Sequence, residues 1–156
     1  VKIAIGSDHH GVAFKQQAAD FLQTLGMNVV DVGAHDAVEP CDYPDSARKV
    51  GQLVSTGAVD RGLLICGSGV GMAITANKFP KVRAAVCDSV ELAKLTRQHN
   101  GINVLCLSGN QWKQQDLRPV VEAFVETEFE GGRHQRRIDK ISEIETEIGA
   151  ARIGAE

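Results

Sequence analysis

Gly62-Leu63-Leu64-Ile65-Cys66-Gly67-Ser68-Gly69-Val70-Gly71 holds the central strand of this chain and the turn that leaves it. Residues 62–66 form an unbroken apolar run, the pattern of a strand covered on both faces of a parallel sheet. Glycines at 67, 69 and 71 then let the backbone bend sharply into a helix ending near Phe79. A strand that turns directly into a helix is half of a βαβ unit.

The same alternation extends in both directions. Upstream lie a strand at Lys2–Gly6, a helix at about Ala13–Leu25, a strand at Asn28–Val32 and a helix at about Pro44–Ser55. Phe14, Ala18, Phe21, Leu22 and Leu25 share one face of the first helix, and Gly26 ends it. Pro44 and Asp45 suit the first turn of the second, where an N–H is not needed and negative charge is favoured. Downstream come strands at Val82–Val86 and Asn103–Leu107, with a helix at Glu91–His99 between them and another at about Asp116–Glu128. The expectation is a Rossmann-like, three-layer α/β/α domain with a five-stranded parallel sheet. After Gly131-Gly132, Ile138, Ile141, Ile144 and Ile148 form an apolar stripe on a charged helix. From its pattern, that helix packs either on its own sheet or on a partner subunit.

The length of 156 residues suits a single domain. A net charge of −3 gives no basic face for nucleic acid. The basic cluster Arg133, His134, Arg136, Arg137 and Lys140 is large enough for one phosphate only. Cys41, Cys66, Cys87 and Cys106 form no C-x-x-C pair and read as reduced thiols, which implies a cytoplasmic protein. The opening residues read as a strand rather than a signal peptide, and no apolar run reaches membrane-spanning length.

In an open parallel sheet, ligands sit beyond the carboxyl ends of the strands, where strand order reverses. The residues there are Ser7-Asp8-His9-His10, Asp42-Tyr43, Cys66-Gly67-Ser68-Gly69 and Cys87-Asp88. The glycine loop exposes successive N–H groups at a helix start, a cradle for a phosphate or for a developing oxyanion. Cys66 falls beside these dipoles, where a thiol can serve as base or nucleophile. The same segment also reads as a buried strand-end cysteine with turn glycines. It overlaps the dinucleotide fingerprint, with Asp88 about twenty residues on. However, Met72 stands at the third glycine position, and the loop follows the third strand rather than the first.

Adjacent residues of an extended segment point to opposite sides, so only one of His9 and His10 is expected to face the site. His35 and Cys41 could join them around a metal, but no ligand spacing supports this. His99 alone would cap a helix C-terminus. Arg133 and Arg137, one helical turn apart, could clamp a dianionic phosphate or form a solvated basic turn.

At these residues the sequence resembles ribose-5-phosphate isomerase type B and its relative galactose-6-phosphate isomerase. The matching segments are Ile5–His9, Asp42-Tyr43-Pro44, Leu64–Met72, Ala76-Asn77-Lys78, Arg97-Gln98-His99-Asn100 and Glu130–His134. The resemblance runs from residue 2 to about residue 145. It implies a homodimer, or a tetramer built from it, with active sites shared between subunits and residues 131–156 as the dimerisation helix.

By position, Cys66 would move a proton between C1 and C2, Ser68 would shuttle protons on the oxygens, and the N–H groups of Gly67, Ser68, Gly69, Val70 and Gly71 would hold the enediolate. Asp8 and His99 would assist ring opening, with His99 and Asn100 supplied by the neighbour. Tyr43 would line the sugar site, and His9, Arg133 and Arg137 would bind phosphate. No metal or organic cofactor is implied.

Two positions depart from the family pattern. Asn110 stands where the family often has an arginine, and His10 where it has a small or apolar residue. The reading is therefore an aldose–ketose isomerase acting on ribose 5-phosphate or a close analogue. The alternatives are the same chemistry on a tetrose or hexose phosphate, a noncatalytic subunit, and a nucleotide-binding regulatory module.

Overall fold

The computed structural model describes residues 1–113 and 115–155; Gln114 and Glu156, the last residue of the expected tail, lie outside the described residues. The strands are β1 (Lys2–Ser7), β2 (Asn28–Asp31), β3 (Arg61–Cys66), β4 (Ala84–Val86) and β5 (Val104–Ser108). The helices are α1 (Val12–Thr24), α2 (Tyr43–Ser55), α3 (Val70–Ala76), α4 (Val90–Asn100), α5 (Gly109–Trp112), α6 (Arg118–Glu126) and α7 (Arg133–Ala155). All strand pairs are parallel, in the order β2-β1-β3-β5-β4.

This order reverses on both sides of β3. The chain goes from β1 outward to β2 and back across to β3, then outward to β4 and back to β5. Right-handed crossovers place outward and returning helices on opposite faces. Accordingly α1, α4 and α6 bury Ala18, Leu22, Ala93, Val120 and Phe124 on one face. On the other, α2 and α3 bury Ala47, Val50, Met72 and Ala76. Leu63 and Ile65 of β3 point into the first layer, Leu64 and Cys66 into the second. That is why the run 62–66 shows no alternation: each face of the strand has its own helix layer. Each aliphatic side chain fully buried here contributes roughly 1.5–3 kcal/mol.

β4 is shorter than the expected 82–86 for a local reason. Asn103 Oδ1 accepts from the Arg83 N–H, Asn103 Nδ2 donates to the Lys81 carbonyl, and Asn77 Oδ1 accepts from the Ala84 N–H. Side-chain amides thus take backbone groups that a longer ladder would use. The sequence reading did not include α5, a single turn. It forms because Ser108 Oγ accepts from the Gln111 N–H while donating to the Gly67 carbonyl.

Three arginines tie down the amino edge of the sheet. Arg61 donates to the carbonyls of Phe124 and Val125, and Arg97 to those of Ile102 and Thr127. Both guanidinium groups lie over the Phe124 ring, at 5.6 and 6.0 Å. Burial pushes the Arg97 pKa down to about 10, with Arg61 adding to the effect. Arg83 donates to the carbonyls of Asn100 and Gly101, at the end of α4.

Two consecutive left-handed residues, Gly131 (φ 67°) and Gly132 (φ 54°), precede α7. Helix α7 packs its first turns against its own chain and buries Ile138. Beyond that point its stripe is uncovered: Ile141, Ile144 and Ile148 are 45%, 54% and 53% exposed. Val70 and Ile74, one turn apart on α3, are likewise exposed.

Candidate active site

Cys66 is the last residue of β3 and is 5% exposed. The loop after it curls back, so that the Gly69 N–H donates to Cys66 Sγ at 3.1 Å. Gly69 has φ 80°, and a Cβ there would stand 3.1 Å from the Leu107 carbonyl carbon. Both conformation and space therefore call for glycine. The Val70 N–H donates to Ser68 Oγ at 3.2 Å, and the Ser68 side chain faces solvent. Among the described residues, the loop's own hydrogen bonds leave the N–H groups of Gly67, Ser68 and Gly71 free at the start of α3. Of the five N–H groups expected to form a cradle, those of Gly69 and Val70 instead fix the thiol and the hydroxyl.

Three further elements close around this loop. At the end of β1, Asp8 donates its N–H to the Ile65 carbonyl, which sets β1 and β3 side by side. Its Oδ1 accepts from the N–H groups of His10 and Gly11 at 3.0 and 3.1 Å. Asp8 is thus the N-cap of a short 3-10 turn, a structural task beyond the chemical one its position suggested. At the start of α2, the Tyr43 ring sits where a side chain on Gly71 would go. After β5, the Asn110 N–H donates to the Gly67 carbonyl at 3.2 Å, and Asn110 Nδ2 is 3.4 Å from where a Gly67 Cβ would be. Asn110 therefore roofs the loop.

The expectation that only one of His9 and His10 faces the site rested on an extended segment. The chain instead turns at His9, and the two rings lie 4.0 Å apart. His9 Nδ1 lies 3.3 Å from both the backbone N and O of Cys41, so the loop before α2 fixes its ring. No local pattern signals this contact, because it joins residues 32 apart through main-chain atoms of Cys41.

His99, Asn100, Arg133 and Arg137 lie elsewhere. Helix α4 runs antiparallel to the strands, so its last turn is at the amino edge of the sheet. There Arg83, at the entry to β4, holds the Asn100 carbonyl. The Glu130 N–H donates to the Gln98 carbonyl, which brings the start of α7 to the same place. The rings of His99 and His134 stack with centroids 4.3 Å apart and planes 13° from parallel. His134 Nε2 lies 3.4 Å from Glu130 Oε2. Burial, and then the neighbouring His99, hold the His134 imidazole below its ordinary range.

Arg133 and Arg137 are exposed and fall one turn apart on α7, as their spacing implied. The site residues thus form two groups at opposite ends of a six-residue strand, separated within one chain by about 15–20 Å. His134 and Glu130 were missed as members of the second group. Their signal was the placement of His134 between the two arginines.

The model of the family described as Ribose/Galactose Isomerase matches residues 3–141. Ribose-5-phosphate isomerase B of Escherichia coli is 42% identical over 92% of this chain and 96% of its own length. The structure of Clostridium thermocellum ribose-5-phosphate isomerase B superposes with a TM-score of 0.91 at 44% identity, covering 95% of this chain and 99% of that one. The Mycoplasma genitalium enzyme, solved with bound ribulose-5-phosphate, gives a TM-score of 0.89 at 44% identity, with 94% and 97% covered. With residues 3–141 matched by the family model and nearly the full length aligned at more than 40% identity, this chain belongs to the ribose/galactose isomerase family.

Proposed function

We propose that this protein interconverts ribose 5-phosphate and ribulose 5-phosphate through a cis-enediolate, with Cys66 as the base. The observation that carries the reading is the strand-end sulfur held by the Gly69 N–H beside three free loop N–H groups. A proton taken from C2 of the open-chain aldose leaves negative charge on the carbonyl oxygen. The unpartnered N–H groups of Gly67, Ser68 and Gly71 are the donors available to that charge. Return of the proton to C1 gives the ketose, while Ser68 carries a proton between O1 and O2. Proton abstraction of this kind needs a base, an oxyanion site and an acid for the ring oxygen. Asp8 and His99 fill the last role, Tyr43 and Asn100 line the sugar, and His9, Arg133 and Arg137 hold the phosphate.

One chain cannot supply all of these, because His99, Asn100 and the arginines lie at the other end of the sheet. Two copies related by a two-fold axis can place the amino edge of one against the carboxyl edge of the other. The uncovered Ile141, Ile144, Ile148, Val70 and Ile74 are the apolar surface such a dimer would bury. The active unit is therefore a homodimer with two shared sites.

The test is ketose formation from ribose 5-phosphate by the purified, metal-free protein. Turnover supports the proposal. Its absence with ribose 5-phosphate, but presence with a tetrose or hexose phosphate, would keep the chemistry and change the substrate. Asn110 gives that second reading its specific ground: an uncharged amide at the loop favours a sugar hydroxyl over a phosphate.

A further inference from the structure

The meeting of α4 and α7 leaves three ligand-type side chains together: His99, Glu130 and His134. One ligating atom from each lies within 4.8 Å of the others, and among the described residues no other three His, Cys, Asp or Glu side chains do this. His9, His10, His35 and Cys41, weighed as ligands from the sequence, do not form such a group.

The spacing of the ligand atoms approaches that around a tetrahedral ion. Bonds of about 2.0–2.1 Å set neighbouring ligand atoms about 3.3 Å apart. His134 Nε2 and Glu130 Oε2 are already 3.4 Å apart. The two distances to His99 need to close by at most about 1.5 Å. The imidazole planes are 13° from parallel and stacked, so joint ligation requires the His99 ring to turn out of the stack until its nitrogen faces the same point as that of His134. His99 is only part-buried and can make that adjustment. Neither ring makes a hydrogen bond among the described residues beyond the Glu130 pairing.

The frame is firm: the Glu130 N–H is bonded to the Gln98 carbonyl, and Glu130 and His134 are one turn apart across the Gly131-Gly132 bend. Arg133 and Arg137 on the same turn oppose a cation, and Glu130 offsets them only in part. That balance disfavours hard ions, which want several carboxylate oxygens. It leaves the borderline ions that imidazole binds well.

We propose that His99, Glu130 and His134 form an inhibitory site for a divalent transition ion of the zinc class. The ion is a reversible occupant, not a resident cofactor. It takes the His99 nitrogen that the isomerase reading assigns to ring opening. The inhibition rests on that reading, whereas the binding does not.

The experiment is a cobalt(II) titration of the chelator-treated, full-length protein, followed by its visible d–d absorption. One ion per chain with tetrahedral intensity, displaced by zinc, is expected. His134→Gln and Glu130→Gln should each weaken binding at least about tenfold. Cys66→Ser should bind cobalt as the wild type does. Binding that follows Cys66, or that survives both ligand changes, would overturn the site. Should His134→Gln not fold, the half-exposed Glu130 carboxylate decides the matter alone.

In the turnover assay, zinc should inhibit over its binding range, and Glu130→Gln should need at least about tenfold more zinc. Full turnover with zinc bound would remove the inhibitory role. No turnover in metal-free protein would count against the isomerase reading, and the cobalt spectrum would still decide the site.

Discussion

The ring of Tyr43 occupies the space that a side chain at Gly71 would need: a Cβ built there overlaps its Cε2 and Cζ. Gly71 is helical, not left-handed, so alanine costs nothing in backbone conformation. The cost falls on the ring. Tyr43 is 42% exposed and can swing away without opening the core. Gly71→Ala should therefore lower kcat/KM for ribose 5-phosphate at least about tenfold, while Tm changes by only a few degrees. In a Tyr43→Ala background the same change should cost little. Full additivity of the two would remove the contact as the cause.

Cys66→Ala deletes one buried sulfur and leaves the loop backbone in place. If Cys66 is the base, kcat should fall by about 10²–10⁴-fold with the circular dichroism spectrum unchanged. Turnover within a factor of a few of wild type would assign the proton transfer to another group.

The proposed division of the site between two subunits allows a complementation test. Cys66→Ala and His99→Gln should each be nearly inactive alone. Random exchange of subunits makes half of the dimers mixed, and each mixed dimer holds one site with both residues intact. Activity should recover to about a quarter of wild type. No recovery, in a mixture shown by mass to contain hybrids, would mean the sites are not shared.

Asn110 reaches over Gly67, the first residue of the loop. Asn110→Arg adds a cation with a planar fork suited to phosphate. The expected result is a KM for ribose 5-phosphate lower by about three- to tenfold with kcat little changed, the signature of uniform binding. A fall in kcat with no gain in KM would place Asn110 against the sugar instead.

His134 makes stability depend on pH. Its folded-state pKa lies below the ordinary value of 6.5, so on acidification the unfolded chain takes up the proton first. The contribution of His134 is complete above about pH 6.5 and is lost as pH falls through the lower folded value. Tm should drop between about pH 7 and pH 5, less steeply in His134→Gln. Equal slopes would show that burial of this imidazole does not set the acid limit.

The sheet was legible because each strand carries its own period: residues 62–66 lack alternation, and two helix layers cover them. The strand order was not legible, since nothing local in residues 84–86 says that β5 lies between β4 and β3. Cys66, Ser68 and the glycines were found from one contiguous segment. The separation of His99 from Cys66 follows from helix direction, and the resemblance alone supplied it. Asn110 was noted for its missing charge, but its place above Gly67 depends on α5, a turn too short for periodicity to reveal. The stack of His99 on His134 joins two segments more than thirty residues apart, beyond any reading of spacing.

The paired left-handed glycines before α7 set the aim of everything beyond them. A Cβ at Gly131 or Gly132 would meet nothing within 4 Å, so a substitution there costs only backbone conformation, about 1–2 kcal/mol per residue. Yet a changed bend would swing Arg133, His134, Arg137 and the isoleucine stripe together, like a crane arm turned at its base. In a random-mutation screen for activity, these two positions should score alongside Cys66 although neither meets the sugar.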